Sequence, residues 1–283
     1  MGPLSQVYAR RMDGSAIGDY LRARREQVRP EDVGIVWSGT RRVPGLRREE
    51  VAALAGISPE YYLRLEQGRD RQPSDQVLRA LSRALRLDVA ASLHLHRLAH
   101  PDSPANLAPT IDEVDPFLLQ LIEQWPTTLA IVLNSCRDVL AVNRLTAALD
   151  SRFLKVGNNL VLNVFTPGLK EMSPDWEELA AGAVAALRMT AHPNDPRLIE
   201  IVGELSIRDA DFRRLWARHE VAPLSSGTSL THVPGFGVVP VRWQNLDVLG
   251  SKGQMIITFF GEPGSIGEHA LHTLASSLVP SAR

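Results

Sequence analysis

The sequence predicts a multidomain chain, an all-α five-helix domain followed by an α+β domain. Three observations predict it. Five stretches with apolar residues at helical spacing fill residues 16–100. Residues 101–110, PDSPANLAPT, hold three prolines, small polar residues and no periodicity, which marks a linker. Beyond it, short apolar runs fall at both ends of the remaining sequence with helical stretches between them, the arrangement of one sheet closed by its termini. A chain of 283 residues is long enough for two cores.

Residues 1–14 read as a flexible terminus. The first helix is expected from Ala16 to about Val28, with Ile17, Tyr20, Leu21 and Arg24 on one face. Val28 to Gly45 contains Pro30, Gly34, Gly39, Pro44 and Gly45 and reads as a long loop. A second helix follows from Arg47 to Ala55, with Val51, Ala52, Leu54 and Ala55 as its apolar stripe. Gly56 stands just past its end, where a left-handed backbone is needed and glycine adopts it cheaply. Ile57 turns back to the core; Ser58 as N-cap and Pro59 at the first helical position start a third helix at once. Two helices joined by so short a turn cross steeply, and the second can lie in a DNA major groove. The fourth helix is capped by Ser74, with Val77, Leu78, Leu81 and Leu85 inward, and Asp88 caps a fifth from Val89 to about His100.

After the linker comes a short helix near Asp115 to Glu123, then a hairpin of buried strands, Leu129–Leu133 and Val139–Val142, around Asn134 to Asp138. Ser173 and Pro174 open a helix to about Ala191, Asp195 and Pro196 another to about Ser206, and Asp209 or Asp211 a third to about His219. Ser225 to Ser229 reads as a flexible loop before strands at Ser229–Val233, Gly237–Trp243 and Gln254–Phe260. Ser265 and Glu268 form a capping-box pattern for a last helix, Ile266 to Leu278.

The residues Glu50-Val51-Ala52, Gly56-Ile57-Ser58, Tyr61-Tyr62, Leu65-Glu66 and Gly68 resemble the Cro and phage-repressor type of helix-turn-helix, the XRE family, over roughly residues 15–100. The longer run RRVPGLRREEVAALAGISPEYYLRLEQGRDRQPSDQVLRALSRAL is similar to the MmyB-like regulators, as are Asp138–Arg144, Pro174–Glu178 and Phe212–His219. That resemblance implies a bacterial transcription factor whose second half, residues 111–283, is a PAS-like ligand-binding domain. The full expectation is an all-α five-helix helix-turn-helix domain followed by an α+β PAS-like domain. Members usually carry a Trp before the Asn-Arg pair, where Val142 stands here.

Charge divides along the same boundary. Residues 1–100 contain 17 Arg and no Lys against 12 Asp plus Glu, a net of +5, while residues 101–283 carry a net of −6. A basic half fits contact with double-stranded DNA. The lone cysteine, Cys136, excludes an internal disulfide framework and a multi-cysteine metal site. No long apolar run opens the chain, so neither a secretory signal nor a membrane span is expected, and the reading is a cytoplasmic protein.

On a helix beginning at Ser58, Pro59, Glu60, Tyr61 and Arg64 lie on the groove-facing side. Arg64 suits guanine O6 and N7, and Glu60 suits cytosine N4. Arg48, Arg69 and Arg71 are placed for phosphates, while Arg41, Arg42 and Arg47 border a loop that could add a backbone or minor-groove arm. The resemblance implies that Glu66 pairs with Arg25 and holds two helices together. Single modules of this kind bind weakly, so a homodimer on an inverted-repeat operator is expected.

In the second half, Trp176, Trp216, Trp243 and Phe259 are candidates to wall a pocket for a small hydrophobic ligand, fatty-acid-like or a specialised metabolite, as the resemblance implies. Arg144, Arg218 and His219 are candidates for its polar mouth, because arginine binds a carboxylate bidentately. The alternative is that this half docks a partner protein and has no small-molecule ligand. No nucleophile elbow, phosphate-binding glycine loop or metal set appears, so no catalytic residues and no cofactor are expected. Asn134-Ser135-Cys136-Arg137 lacks the motif that surrounds a flavin-adduct cysteine. His94, His96 and His100 lack a carboxylate to complete a metal set and read, like His269 and His272, as helix-surface histidines.

Overall fold

The structure is a computed structural model, and it describes residues 16–36, 41, 43–70, 72–100, 113–149, 151–251 and 253–278. The amino-terminal residues 1–14, Arg42, Arg71 and the linker 101–110 lie outside the described residues. The chain forms two compact units, one of residues 1–107 with 184–223 and one of residues 108–183 with 224–283.

The first unit contains the five expected helices: α1 (Ala16–Gln27), α2 (Arg48–Ala55), α3 (Pro59–Glu66), α4 (Asp75–Ala84) and α5 (Val89–Ala99). Local chemistry sets their ends. Gly56 closes α2 at φ 67°, Ser58 accepts from Tyr61 N to open α3, Ser74 accepts from Val77 N, and Asp88 accepts from Ala91 N. Ile17, Tyr20, Leu21, Leu46, Val51, Tyr62, Leu65, Leu78, Leu81 and Leu95 form one buried core. A Cβ on Gly18 would sit 2.4 Å from the Glu66 carbonyl oxygen, so glycine is what lets α1 cross α3 closely.

Three expectations need correction here. Leu54 is 41% exposed and lies off the buried stripe of α2, because Val51, Ala52 and Ala55 already fill the face toward the other helices. Arg25, not Arg24, turns into the buried face of α1, where Glu66 awaits it. The loop after α1 opens with a short 3-10 helix, Pro30–Val33, with Pro30 in its first turn and Gly34 left-handed at its end.

Helices α10 (Trp176–Thr190), α11 (Pro196–Arg208) and α12 (Ala210–Trp216) carry the chain through residues 176–216, with Asp195 and Asp209 as the caps of the latter two. The boundary between units falls within α10: residues to Ala183 belong with the second unit and those from Val184 with the first. In the first unit, Val221 is buried in the same core as Tyr20 and Leu95, Met189 packs against it, and Gln27 Nε2 donates to the Arg218 carbonyl at 2.6 Å.

The second unit is a five-stranded antiparallel sheet of order β2-β1-β5-β4-β3: β1 (Leu129–Leu133), β2 (Val139–Val142), β3 (Ser226–Val233), β4 (Gly237–Asp247) and β5 (Met255–Phe260). The first and last strands in sequence are neighbours, as the expected closure requires. β1 is buried along its whole length and its side chains alternate. Ala130 and Val132 pack with Leu118 and Ile122 of α6 (Pro116–Glu123), whereas Leu129 packs with Ala270 and Leu271 of α13 (Ile266–Ser277). Between β2 and α10 lie three short helices, α7 (Arg144–Ala148), α8 (Leu160–Val164) and α9 (Pro167–Met172).

Residues 226–228, expected in a loop, are instead the start of β3, hydrogen-bonded in register with Arg242 to Gln244. Serine, glycine and threonine are tolerated there because this edge strand leaves alternate side chains in solvent. At α13, Ser265 caps as expected, but the Glu268 carboxylate accepts from Gly264 N rather than from the cap residue itself.

A buried polar knot fixes the α7 end of the hairpin. Asn143, 1% exposed, accepts at Oδ1 from Ala130 N, Thr146 N and Thr146 Oγ1, and donates from Nδ2 to the carbonyls of Ile122, Trp125 and Thr128. Each polar atom of the amide is thus saturated.

Candidate DNA-reading and ligand-binding sites

The two faces of α3 divide by chemistry. Tyr62, Leu65 and Glu66 are buried, and Pro59, Glu60 and Arg64 are exposed. Tyr61 is half-buried, with the Arg64 guanidinium carbon 5.4 Å from its ring centre. Glu60, Arg64 and Gln67 fall at i, i+4 and i+7 and share the solvent face; Gln67, the helix cap, was missed in the sequence and its amide suits adenine N6 and N7. Arg69 is exposed just past the helix end, and Arg71 lies outside the described residues.

Glu66 is 3% exposed and is the anchor behind this face. Arg25 Nε donates to its Oε1 and Arg48 Nε to its Oε2, both at 2.6 Å, while Arg25 Nη1 donates to the Leu46 carbonyl at 2.9 Å. Burial alone would raise the Glu66 carboxyl, but the two arginine hydrogen bonds hold it below the usual carboxylate range. Glu66 therefore joins α1, α2 and α3 through one carboxylate, and Arg48 presents only its remaining, half-exposed guanidinium to solvent. A second pair secures the loop end. Arg41 binds Glu50 bidentately at 2.9 and 2.8 Å and donates to the Gly45 carbonyl, so this arginine is held against α2 rather than extended as an arm. The Arg41 hydrogen bond lowers the Glu50 carboxyl, with Arg47 N adding to it.

The sequence-derived ligand candidates fall in both units. Trp216, Arg218 and His219 belong to the first unit, and Arg144, Trp176, Trp243 and Phe259 to the second. Trp216 stacks on Phe212 and covers Arg188, whose guanidinium carbon lies 3.8 Å from its ring. Arg188 is buried and donates to the carbonyls of Trp216 and Glu220; burial lowers its pKa to about 9. His219 is lowered to about 4 by burial and then by Arg188. His94, expected at the surface, is buried with its ring edge-on to Tyr20, and burial lowers it to about 3.

In the second unit, Arg144 lines a surface cleft with Glu123, Trp125, Asn143 and Leu278. Trp176 is committed to the start of α10: its Nε1 donates to the Val164 carbonyl at 2.7 Å and its ring meets Phe165 edge-on. Trp243 and Phe259 are brought together as cross-strand partners, and with Leu129 and Gly227 they form one row across four strands. The Trp243 ring lies over Gly227, where a Cβ would come within 2.6 Å of it.

The same sheet face continues to Asn245 and Asp247 on β4 and to Ile257 and Met255 on β5. Leu154, Leu160 and Val142 pack against it beside Trp243 and Phe259. At its end stands Arg137, a residue the sequence reading placed in a turn and gave no role. Its backbone is left-handed at φ 71°, and its Nη1 lies 2.6 Å from Met255 Sδ. The turn is held by Asn134 and Asn159, which bind Asp138 and the Cys136 carbonyl. Arg137 is 5% exposed, and burial lowers its pKa to about 10, so it remains charged at neutral pH. Its Nε is buried without a hydrogen-bond acceptor, and Asn245 Oδ1, on the same face, is buried without a donor.

Among the described residues, no helix is long and apolar enough to cross a membrane. Residues 16–95 match the family described as a helix-turn-helix domain. Residues 114–274, more than half of the chain, match the MmyB-like transcription regulator ligand binding domain. No curated protein matches the chain. With a helix-turn-helix domain ahead of a ligand-binding domain, the chain belongs to the MmyB-like transcription regulators and is a ligand-responsive regulator of transcription.

Proposed function

We propose that this regulator binds an inverted-repeat operator as a homodimer and that a small amphipathic ligand in the second unit changes its operator affinity. Base contact falls to Glu60, Arg64 and Gln67 on the exposed face of α3, with Pro59 and Tyr61 against the groove wall and Arg48, Arg69 and Arg71 at phosphates. The clean division of α3 into a buried and an exposed face supports this reading.

The observation that carries the ligand assignment is the buried, unsatisfied Arg137 Nε and Asn245 Oδ1 beside the apolar row of Trp243 and Phe259. Buried polar atoms are almost always hydrogen-bonded, and leaving each unpaired costs ~1–3 kcal/mol. A ligand that fits carries an anionic or carbonyl oxygen for Arg137 Nε, a hydroxyl or N–H to donate to Asn245 Oδ1, and a hydrocarbon or ring body for the sheet face. A fatty-acid-like or specialised metabolite has that form. Arg137 thereby takes the role for which Arg144, Arg218 and His219 were candidates. The signal moves along α10, which belongs to both units, and requires the ligand to bind one arrangement better than the other.

Native mass spectrometry of the purified protein, followed by solvent extraction, tests the reading. A small acidic apolar compound released from the wild type and absent from Arg137→Met is expected. Equal amounts released from both proteins would contradict it.

A further inference from the structure

The carboxylate that the sequence reading could not find for His96 and His100 is present. Asp75, the first residue of α4, brings its Oδ1 within 3.7 Å of His96 Nδ1 and 3.6 Å of His100 Nε2. The three donor atoms all lie within 4.8 Å of one another. His96 occupies the last turn of α5 and His100 its C-cap, an i,i+4 pair on one helix face.

From this geometry we propose that Asp75, His96 and His100 bind a borderline divalent transition metal, zinc being the physiological case, in an exposed three-ligand site of the first unit. The spacing favours a metal over a histidine–aspartate hydrogen bond. Both nitrogens stand outside hydrogen-bond range of Oδ1, and an exposed ion pair at such distances contributes little. Zinc bonds nitrogen and carboxylate oxygen at about 2.0–2.2 Å, which puts tetrahedral ligand atoms roughly 3.4 Å apart. The two His–Asp separations lie within a few tenths of an ångström of that value, and the two imidazole nitrogens, no more than 4.8 Å apart, close to it by rotation of their side chains.

Charge agrees with the assignment. Asp75 supplies a negative charge, and the C-terminal end of α5 adds the partial negative charge of its last carbonyls. Two imidazoles and one carboxylate suit zinc, nickel or copper and exclude calcium and magnesium, which require oxygen ligands. A water completes four-coordination, as in zinc sites that hold three protein ligands. The bound ion ties the beginning of α4 to the end of α5 and stiffens the DNA-reading unit, independently of what the second unit binds.

Isothermal titration of tag-free, metal-stripped full-length protein with zinc chloride tests the site. One zinc per chain is expected, unaffected by excess magnesium. Binding weakens roughly tenfold or more in Asp75→Asn and in His100→Gln, and stays unchanged in the His269→Gln/His272→Gln variant. The metal-free variants should keep the wild-type melting temperature, since the Asp75 and His100 side chains are 64% and 43% exposed. No binding by the wild type, or undiminished binding by the Asp75 and His100 variants, would overturn the proposal.

Discussion

At the scale of single residues, exposure and pairing separate reading from holding. Arg64 is exposed and meets only the ring of half-buried Tyr61 on its own helix, so Arg64→Ala is expected to leave the melting temperature nearly unchanged and to weaken binding to the preferred operator by about 1–3 kcal/mol, with a smaller loss on unrelated duplexes. Fluorescence anisotropy on both duplexes checks it. Glu66→Ala behaves oppositely. It leaves Arg25 buried without its carboxylate, and a loss of about 3–5 kcal/mol in urea unfolding is expected together with loss of binding to every duplex. Arg137→Met removes a buried charge that touches Met255 Sδ, has Asp247 as its favourable charge neighbour and leaves Nε without an acceptor; the ligand-free variant is expected to stay close to wild-type stability and to bind no ligand. A destabilised Arg137→Met would make the arginine structural. Arg137 was not legible in the sequence because its setting depends on Met255 and Asn245, which only the sheet register brings near. Ser58, Gly56 and Asp88 were legible because caps and turns act within a few residues.

At the scale of elements, packing decides what periodicity leaves open. Helical spacing marks Leu54 as apolar but not as surplus to the face that α2 buries, and β propensity hides the polar start of β3. Gly18→Ala places a methyl against the backbone of Glu66, and loss of the α1–α3 crossing follows, read as a lower melting temperature with α3 detached from DNA contact. In the hairpin, Asn143→Asp replaces three donated hydrogen bonds with an oxygen facing three carbonyls, so a destabilisation of several kcal/mol is expected by urea titration. The first unit also carries its own acid sensitivity. His94 and His219 have pKa values lowered from 6.5 to about 3 and about 4, chiefly by burial. Below an unfolded value near 6.5 the unfolded chain takes up protons that the folded chain refuses, so stability falls as pH drops from about 6.5 toward about 4. Thermal melts across that window check the slope, which His94→Leu should flatten.

At the scale of the whole molecule, the charge asymmetry and the order of helices before strands were legible, because composition and period survive without tertiary detail. The membership of residues 184–223 in the first unit was not, since nothing local distinguishes Val184 from Ala183 within one helix. In that division Trp216 and His219 fall in the first unit, Trp243 and Phe259 in the second, and α10 contributes residues to each. The central claim is that α3 reads sequence as part of a dimer. Selection of duplexes from a random pool by full-length wild type and by Arg64→Ala tests it most directly. An enriched inverted repeat with half-sites about one helical turn apart is expected for the wild type, and loss of preference at one base pair per half-site for the variant. No enriched sequence, or one identical in both proteins, would contradict it.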